Sequence, residues 1–264
     1  MAEKPEKQNS AFRLYRFVQK MVPQQPPTLQ TAQVLLNAFG VPKEAPPREQ
    51  NAALARIMAL LFGELELLVS ALKAAGHSGE AIQSIARPFD SLSGPALANQ
   101  WQHLVQGFSA SLPVLRFAGE SLLDDGEAIS PEELIDLSNS IEALRKQVEE
   151  TTLPQEVKRF VYEQLDIIKR AIRDYPLAGP KAFKTAVQEA VFHLGEHAEV
   201  VAEIEKTPIM DSLKKIQEQA VRYAKYVIEV SKFIGALDSL YHHALQAAPA
   251  TEQLSGLVKH VIAK

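Results

Sequence analysis

Residues 208–247 read PIMDSLKKIQEQAVRYAKYVIEVSKFIGALDSLYHHALQA, and apolar or small side chains recur through them at Leu213, Ile216, Ala220, Tyr223, Val227, Val230, Ile234, Leu237, Tyr241 and Ala244. The spacing alternates three and four. A half-buried strand would repeat at every second residue, whereas this alternation keeps the series on one side of a helix. Sustained over four heptads, it is the pattern of a coiled-coil-like seam. Lys214, Lys215, Glu218, Arg222, Lys225, Glu229 and Lys232 supply a solvated opposite side. At 1.5 Å per residue a helix over 209–247 would be about 55 to 60 Å long, more than one small bundle covers. Either this edge lies across both halves of the chain or another copy covers part of it. Pro249 ends the run by pushing Ala248 out of the helical region.

Working upstream, the same periodicity returns in shorter pieces. Ser130-Pro131-Glu132-Glu133 has the form of a capping box with proline at the first helical position, and Leu134, Leu137, Ile141, Leu144 and Val148 follow at three and four. Pro154 opens a helix with Val157, Val161, Leu165, Ile168 and Ile172 inward, which Pro176 is expected to end, and the short link between the two makes an antiparallel hairpin. Pro180 begins a third helix through Phe183, Val187, Val191, Leu194 and Val201. From Gln50, a broad stripe from Leu54 to Leu72 predicts a helix buried by several neighbours. Shorter segments are expected at Ser78 to Phe89, Pro95 to Phe108 and Pro113 to Leu123. The first 50 residues hold seven of the 16 prolines and read as short helices, Ser10 to Met21 and Thr28 to Phe39, joined by extended linkers.

The expected class is therefore all-α, a multi-helix bundle with one long heptad-patterned helix at 209–247. Three parts are expected: a Pro-rich segment over 1–49, a helical half over 50–126, and a second half over 127–264 that carries the long helix. The 264 residues contain no cysteine, which excludes disulfides and thiolate chemistry. A net charge of −4 argues against general nucleic-acid binding, which needs clustered Lys and Arg. Residues 1–20 lack the apolar stretch of a secretory signal, so a cytoplasmic protein is expected. Arg56, Glu64 and Glu66 interrupt the most apolar stretch and argue against a membrane span. Glu64 and Glu66 lie two apart, hence on different faces; a partner at Arg56 or a solvent-facing position is expected for them.

The chemically suggestive string is His193-Leu194-Gly195-Glu196-His197. On a helix, HxxEH sets two imidazoles one turn apart beside a carboxylate, the arrangement of inverted zincins. A catalytic zinc needs a third ligand, and none of Glu203, Asp211, Glu229 or Glu252 is recommended by its placement. His193 and His197 also fall at the edge of an apolar stripe, so a partly buried polar helix edge is the expected reading and no metal or cofactor is expected. His242-His243 point apart on a helix and share no ligand. Arg13, Arg16 and Lys20 among Phe12, Tyr15 and Phe17 would suit a helix on an anionic membrane, and equally a docked N-terminal helix. Ala220, Ala224, Gly235, Ala236 and Ala244 would suit a membrane-inserting element, against which the regular charges of the long helix argue. Gly-rich phosphate loops, nucleophile elbows and Rossmann fingerprints do not occur in the chain.

The run Leu153-Pro154-Gln155-Glu156-Val157-Lys158-Arg159-Phe160, continuing through Gln164 to Ile168, Arg170 to Tyr175 and Gly179 to Phe183, resembles a segment of bacterial all-helical proteins of unassigned function, over about residues 130–190. The resemblance brings no catalytic residues. It implies a bacterial, intracellular source and an accessory role, with stress or phage defence as the expected setting. The expectation is a non-enzymatic helical interaction protein, binding a protein partner or a second copy through Leu213, Ile216, Tyr223, Val227, Val230, Ile234, Leu237 and Tyr241. The alternatives are a membrane-active helical protein and a zinc-dependent hydrolase built on His193, Glu196 and His197.

Overall fold

The computed structural model describes residues 7–24, 28–92, 94–124, 126, 128–205 and 207–224. Among these the secondary structure is all-α: eleven α-helices and one 3-10 turn, with a single isolated bridge between Gln30 and Gln100 and no strand. The chain divides into two compact units, Met1–Ala128 with Pro176–Gly179, and Ile129–Tyr175 with Pro180–Lys264.

The first unit holds α1 (Ser10–Met21), α2 (Thr31–Ala38), α3 (Pro47–Ala74), α4 (Gly79–Asp90), α5 (Gly94–Ala98) and α6 (Val105–Ser121). Asn9 rather than Ser10 caps α1: its Oδ1 accepts from the Phe12 N–H at 3.1 Å, and its Nδ2 donates to the Gly119 carbonyl at 2.9 Å. Lys7 Nζ donates to the carbonyls of Glu120 and Leu122, satisfying orphan acceptors at the end of α6. These bonds sew α1 along α6, and Gly119 lets the Phe12 ring approach so closely that a Cβ there would lie 2.7 Å from it. Leu14, Phe17, Val18, Leu35, Ile57, Leu61, Leu68, Phe89, Trp101 and Phe108 form one buried core. The first fifty residues are thus part of this unit's packing.

Arg13 is buried in the same core. The alternation that places Leu14 and Phe17 inward carries Arg13 against α3, where its Nε and Nη2 donate to Glu64 Oε2 at 2.8 and 2.7 Å. Both side chains are almost fully enclosed, at 4 % and 3 % exposure. Arg13, 51 residues earlier, is thus a partner of Glu64 that the sequence reading did not foresee, and Glu64 is buried rather than facing solvent. Glu66 is exposed, as its separation from Glu64 requires.

The second unit holds α7 (Pro131–Glu149), most of α8 (Gln155–Ala178), α9 (Pro180–Glu196), α10 (Ala198–Ile204) and α11 (Pro208–Ala224). The capping box forms as its sequence spells: Glu133 N–H donates to Ser130 Oγ and Ser130 N–H to Glu133 Oε2. Lys169 pairs with Glu142 and Arg145 with Asp166, while the Arg145 guanidinium lies over the Tyr162 ring. Pairs running 142 to 169 and 145 to 166 make α7 and α8 antiparallel. Leu137, Ile141, Leu144 and Val148 face inward, with Val157, Val161, Leu165 and Ile168 from α8. Phe183, Val187, Val191 and Leu194 do the same from α9.

The segment expected over Pro95 to Phe108 is broken into α5, a 3-10 turn at Trp101–His103 and the start of α6. Three other expected boundaries are wrong, two of them for the same reason. Pro113 does not separate two helices, because α6 runs through it, and α8 continues past Pro176. An interior proline removes a hydrogen bond and crowds the carbonyl four residues back. Here both rings are exposed, as is Ser109, four residues before Pro113. Apolar residues on the buried side, Phe108, Leu115 and Ala118 in α6 and Leu177 in α8, continue across each proline. Burying one such side chain contributes about 1.5 to 3 kcal/mol, comparable with the penalty of about 3 kcal/mol for the proline. The third error lies at Pro180: the helix it begins stops at Glu196 instead of reaching Val201.

Gly179 joins α8 to α9 with φ +59°, the left-handed region that glycine enters freely, and a Cβ there would fall 2.9 Å from Arg13 Nη1. Removing Arg13 takes a guanidinium away from a buried carboxylate. Arg13→Ala is expected to lose about 3 to 5 kcal/mol in urea unfolding, and Arg13→Met with Glu64→Leu to recover a large part of that loss.

Candidate functional site

A connected chain of polar groups in the second unit comes from three helices. α8 contributes Phe160, Glu163 and Gln164, which three- and four-residue spacing puts on one side of the helix. α9 contributes His193 from its last turn, and α11 contributes Gln217, next to Ile216 on the apolar edge. Gln217 Nε2 donates to Gln164 Oε1 at 3.0 Å, and Gln164 Nε2 donates to His193 Nδ1 at 2.8 Å. His193 Nε2 lies 3.2 Å from Glu163 Oε2. Because a carboxamide nitrogen carries only donors, Nδ1 must accept, and the proton of the neutral ring sits on Nε2, where it donates to Glu163.

The surroundings favour that neutral ring. Phe160 stacks flat on His193, with centroids 5.2 Å apart and an interplanar angle of 7°. The His197 ring centroid is 4.6 Å from that of His193. Burial, and next the neighbouring His197, hold the His193 pKa below the ordinary histidine value, against the pull of Glu163, Glu196 and Glu189. Gln164 and Gln217 are buried, and Gln217 also edges a small pocket among Ile168, Val191 and Ala220.

HxxEH therefore does not lie on one helix. The His197 N–H bonds to the Leu194 carbonyl at 3.3 Å, the last turn tightens, and His197 stands at φ −119°, ψ 38° ahead of α10. Gly195, the poorest non-proline helix former, sits in that turn. Glu196 is exposed, and both ring nitrogens of His193 are engaged by Gln164 and Glu163. Among the described residues no group of three His, Asp or Glu side chains is arranged to hold a metal ion. What the constellation offers chemically is a proton-accepting nitrogen tied into an amide chain. Gln164 and Gln217 escaped the sequence reading, although a glutamine one position after Ile216, on the seam's flank, was the available signal.

Of the interaction residues, Leu213 and Ile216 are buried, as is Ala220 on the same edge, and Tyr223 is half-buried. α11 packs on α9 and α7. Tyr223 Oη donates to the Glu133 carbonyl at 3.3 Å, and its ring meets that of Phe183 edge-on at 5.2 Å. Burial raises the Tyr223 pKa above the ordinary tyrosine value. Val227, Val230, Ile234, Leu237 and Tyr241, with the remainder of the expected 209–247 helix and His242-His243, lie outside the described residues.

The two membrane-directed elements are also placed. Phe12, Leu14, Phe17 and Val18, the apolar side of α1, are buried within the first unit, and Arg13 with them. No helix among the described residues is long and apolar enough to cross a membrane. No protein-family model matches this chain, and comparison with curated proteins and with solved structures returns no match. No enzyme family is thereby indicated for it.

Gln217→Ala removes the donor to Gln164 and leaves a buried carbonyl oxygen unsatisfied. It is expected to destabilise the protein by about 1 to 3 kcal/mol by denaturant unfolding, whereas truncating exposed Glu218 to alanine changes stability by no more than about 0.5 kcal/mol.

Proposed function

We propose that this is a helical interaction protein whose binding surface is the continuation of the α11 seam. One observation supports the reading. Tyr223, near the end of the described part of α11, already reaches Glu133 in the first turn of α7 and Phe183 in the first turn of α9. The two helices that cover the seam thus begin beside the residue where its described part ends. The three-and-four spacing continues through Val227, Val230, Ile234, Leu237 and Tyr241. A helix that kept this spacing would carry an apolar edge past its own cover, and an edge of that length calls for another protein surface.

A second copy of the chain is the simplest occupant, and a different helical protein is the other. In this reading the bundle is a scaffold that holds one end of the long helix rigid, and the His193 constellation is part of the scaffold. The bacterial accessory role implied by the resemblance over 130–190 belongs to the same proposal. The membrane-active alternative is disfavoured for α1 by the burial of its apolar side.

Light scattering of the intact chain beside Val227→Glu with Ile234→Glu tests the proposal. The intact chain is expected at a multiple of the 29.1 kDa chain mass, and the variant as a folded single chain with unchanged helical signal. An intact chain that runs as a single copy, with the variant equally folded and unchanged in mass, removes self-association through those residues.

A further inference from the structure

We propose that the chain Gln217, Gln164, His193 and Glu163 is a proton-sensitive latch, joining α11, α8 and α9 while His193 is neutral and loosening when that ring takes up a proton. The latch concerns the described helices of the second unit and stands whether or not the seam beyond Ala224 binds a partner.

The hydrogen bonds have one direction. Gln217 Nε2 donates to Gln164 Oε1, Gln164 Nε2 to His193 Nδ1, and His193 Nε2–H to Glu163. A proton arriving at Nδ1 would meet the Gln164 amide donor head-on. To accept from the imidazolium, Gln164 must turn its carboxamide over, which withdraws Oε1 from Gln217 Nε2 and presents a donor there instead. Gln217 must then turn as well. Both carboxamides are buried, at 0 % and 4 % exposure, so one proton demands two rotations inside packed protein.

The groups around the ring show why this demand is not cancelled. α8 faces His193 with the Glu163 carboxylate, which favours the charged ring. That carboxylate is half-exposed and lies 3.6 Å from the Arg159 guanidinium, which draws off part of its field. Glu189 and Glu196 on α9 also favour the charge, while His197 at the corner opposes it. α11 faces the chain with the neutral Gln217, and α10 turns Glu199 and Glu203 to solvent. Burial is the largest influence and, with His197, leaves the ring harder to protonate than in an unfolded chain. The folded state then binds fewer protons than the unfolded state just below the ordinary histidine value of 6.5. The latch accordingly contributes its full stability above pH 6.5 and loses it as the pH falls below that value toward the folded pKa.

Histidine-ring NMR on the full chain tests this directly. His193 is expected as the Nε2–H tautomer, with a titration midpoint below 6.5. In Gln164→Glu, the isosteric carboxylate still accepts from Gln217 and now also accepts from a protonated Nδ1. Its midpoint is expected about one pH unit or more above wild type, and its loss of thermal stability on acidification is expected to shrink. A wild-type Nδ1–H tautomer, a midpoint at or above 6.5, or a Gln164→Glu midpoint equal to wild type would each overturn the latch. Should Gln164→Glu fail to fold, the wild-type tautomer and midpoint still decide.

Discussion

The apolar edge of α11 must be kept from water, and the second unit is arranged around that requirement. Leu213, Ile216 and Ala220 are almost wholly enclosed, and the helices that enclose them, α7 and α9, bring their own inward residues at the same spacing. Each buried leucine or isoleucine is worth about 1.5 to 3 kcal/mol, so the edge outweighs any single polar contact nearby. Once Ile216 is inside, Gln217 is carried inward beside it. A buried carboxamide needs partners, and Gln164 is one of them; Gln164 in turn fixes the tautomer of His193. The polar chain is thus a consequence of the apolar edge.

The first unit obeys a related constraint with charge in place of an amide. α1 is short and would not hold a helix alone in water. It is held because its apolar side joins the core and its N-terminal end is tied to α6 by Asn9 and Lys7. Docking in that orientation takes Arg13 out of solvent, and Glu64 on α3 is the carboxylate that makes this tolerable. Such a pair contributes little net stability compared with apolar residues of equal volume.

How much of this could be read from the chain depends on the range of the interaction. Periodicity and caps are local, and they delivered the helical class, the Ser130 capping box, and the inward residues of α7, α8 and α9 almost position by position. Proline was misread where burial across the element is comparable with its local penalty, at Pro113 and Pro176. Arg13 with Glu64, and Gln217 with Gln164, are 51 and 53 residues apart, and no local pattern announces such partners. HxxEH was misleading because the spacing presumes a continuous helix, and the chain turns a corner at His197. For the seam, Leu213, Ile216 and Ala220 lie within the described helix, while the positions from Val227 onward lie outside it.

The absence of cysteine makes the central claim open to a direct measurement. Single substitutions Ala220→Cys and Glu218→Cys, two residues apart on α11, place a small thiol on the enclosed edge and on the solvated side. In native buffer the Glu218→Cys thiol is expected to react with a thiol reagent at the rate of the unfolded chain, and Ala220→Cys to react only as fast as the protein opens. If folded Ala220→Cys is labelled as rapidly as Glu218→Cys, the edge is not enclosed, and both the register of α11 and the amide chain that follows from it are wrong.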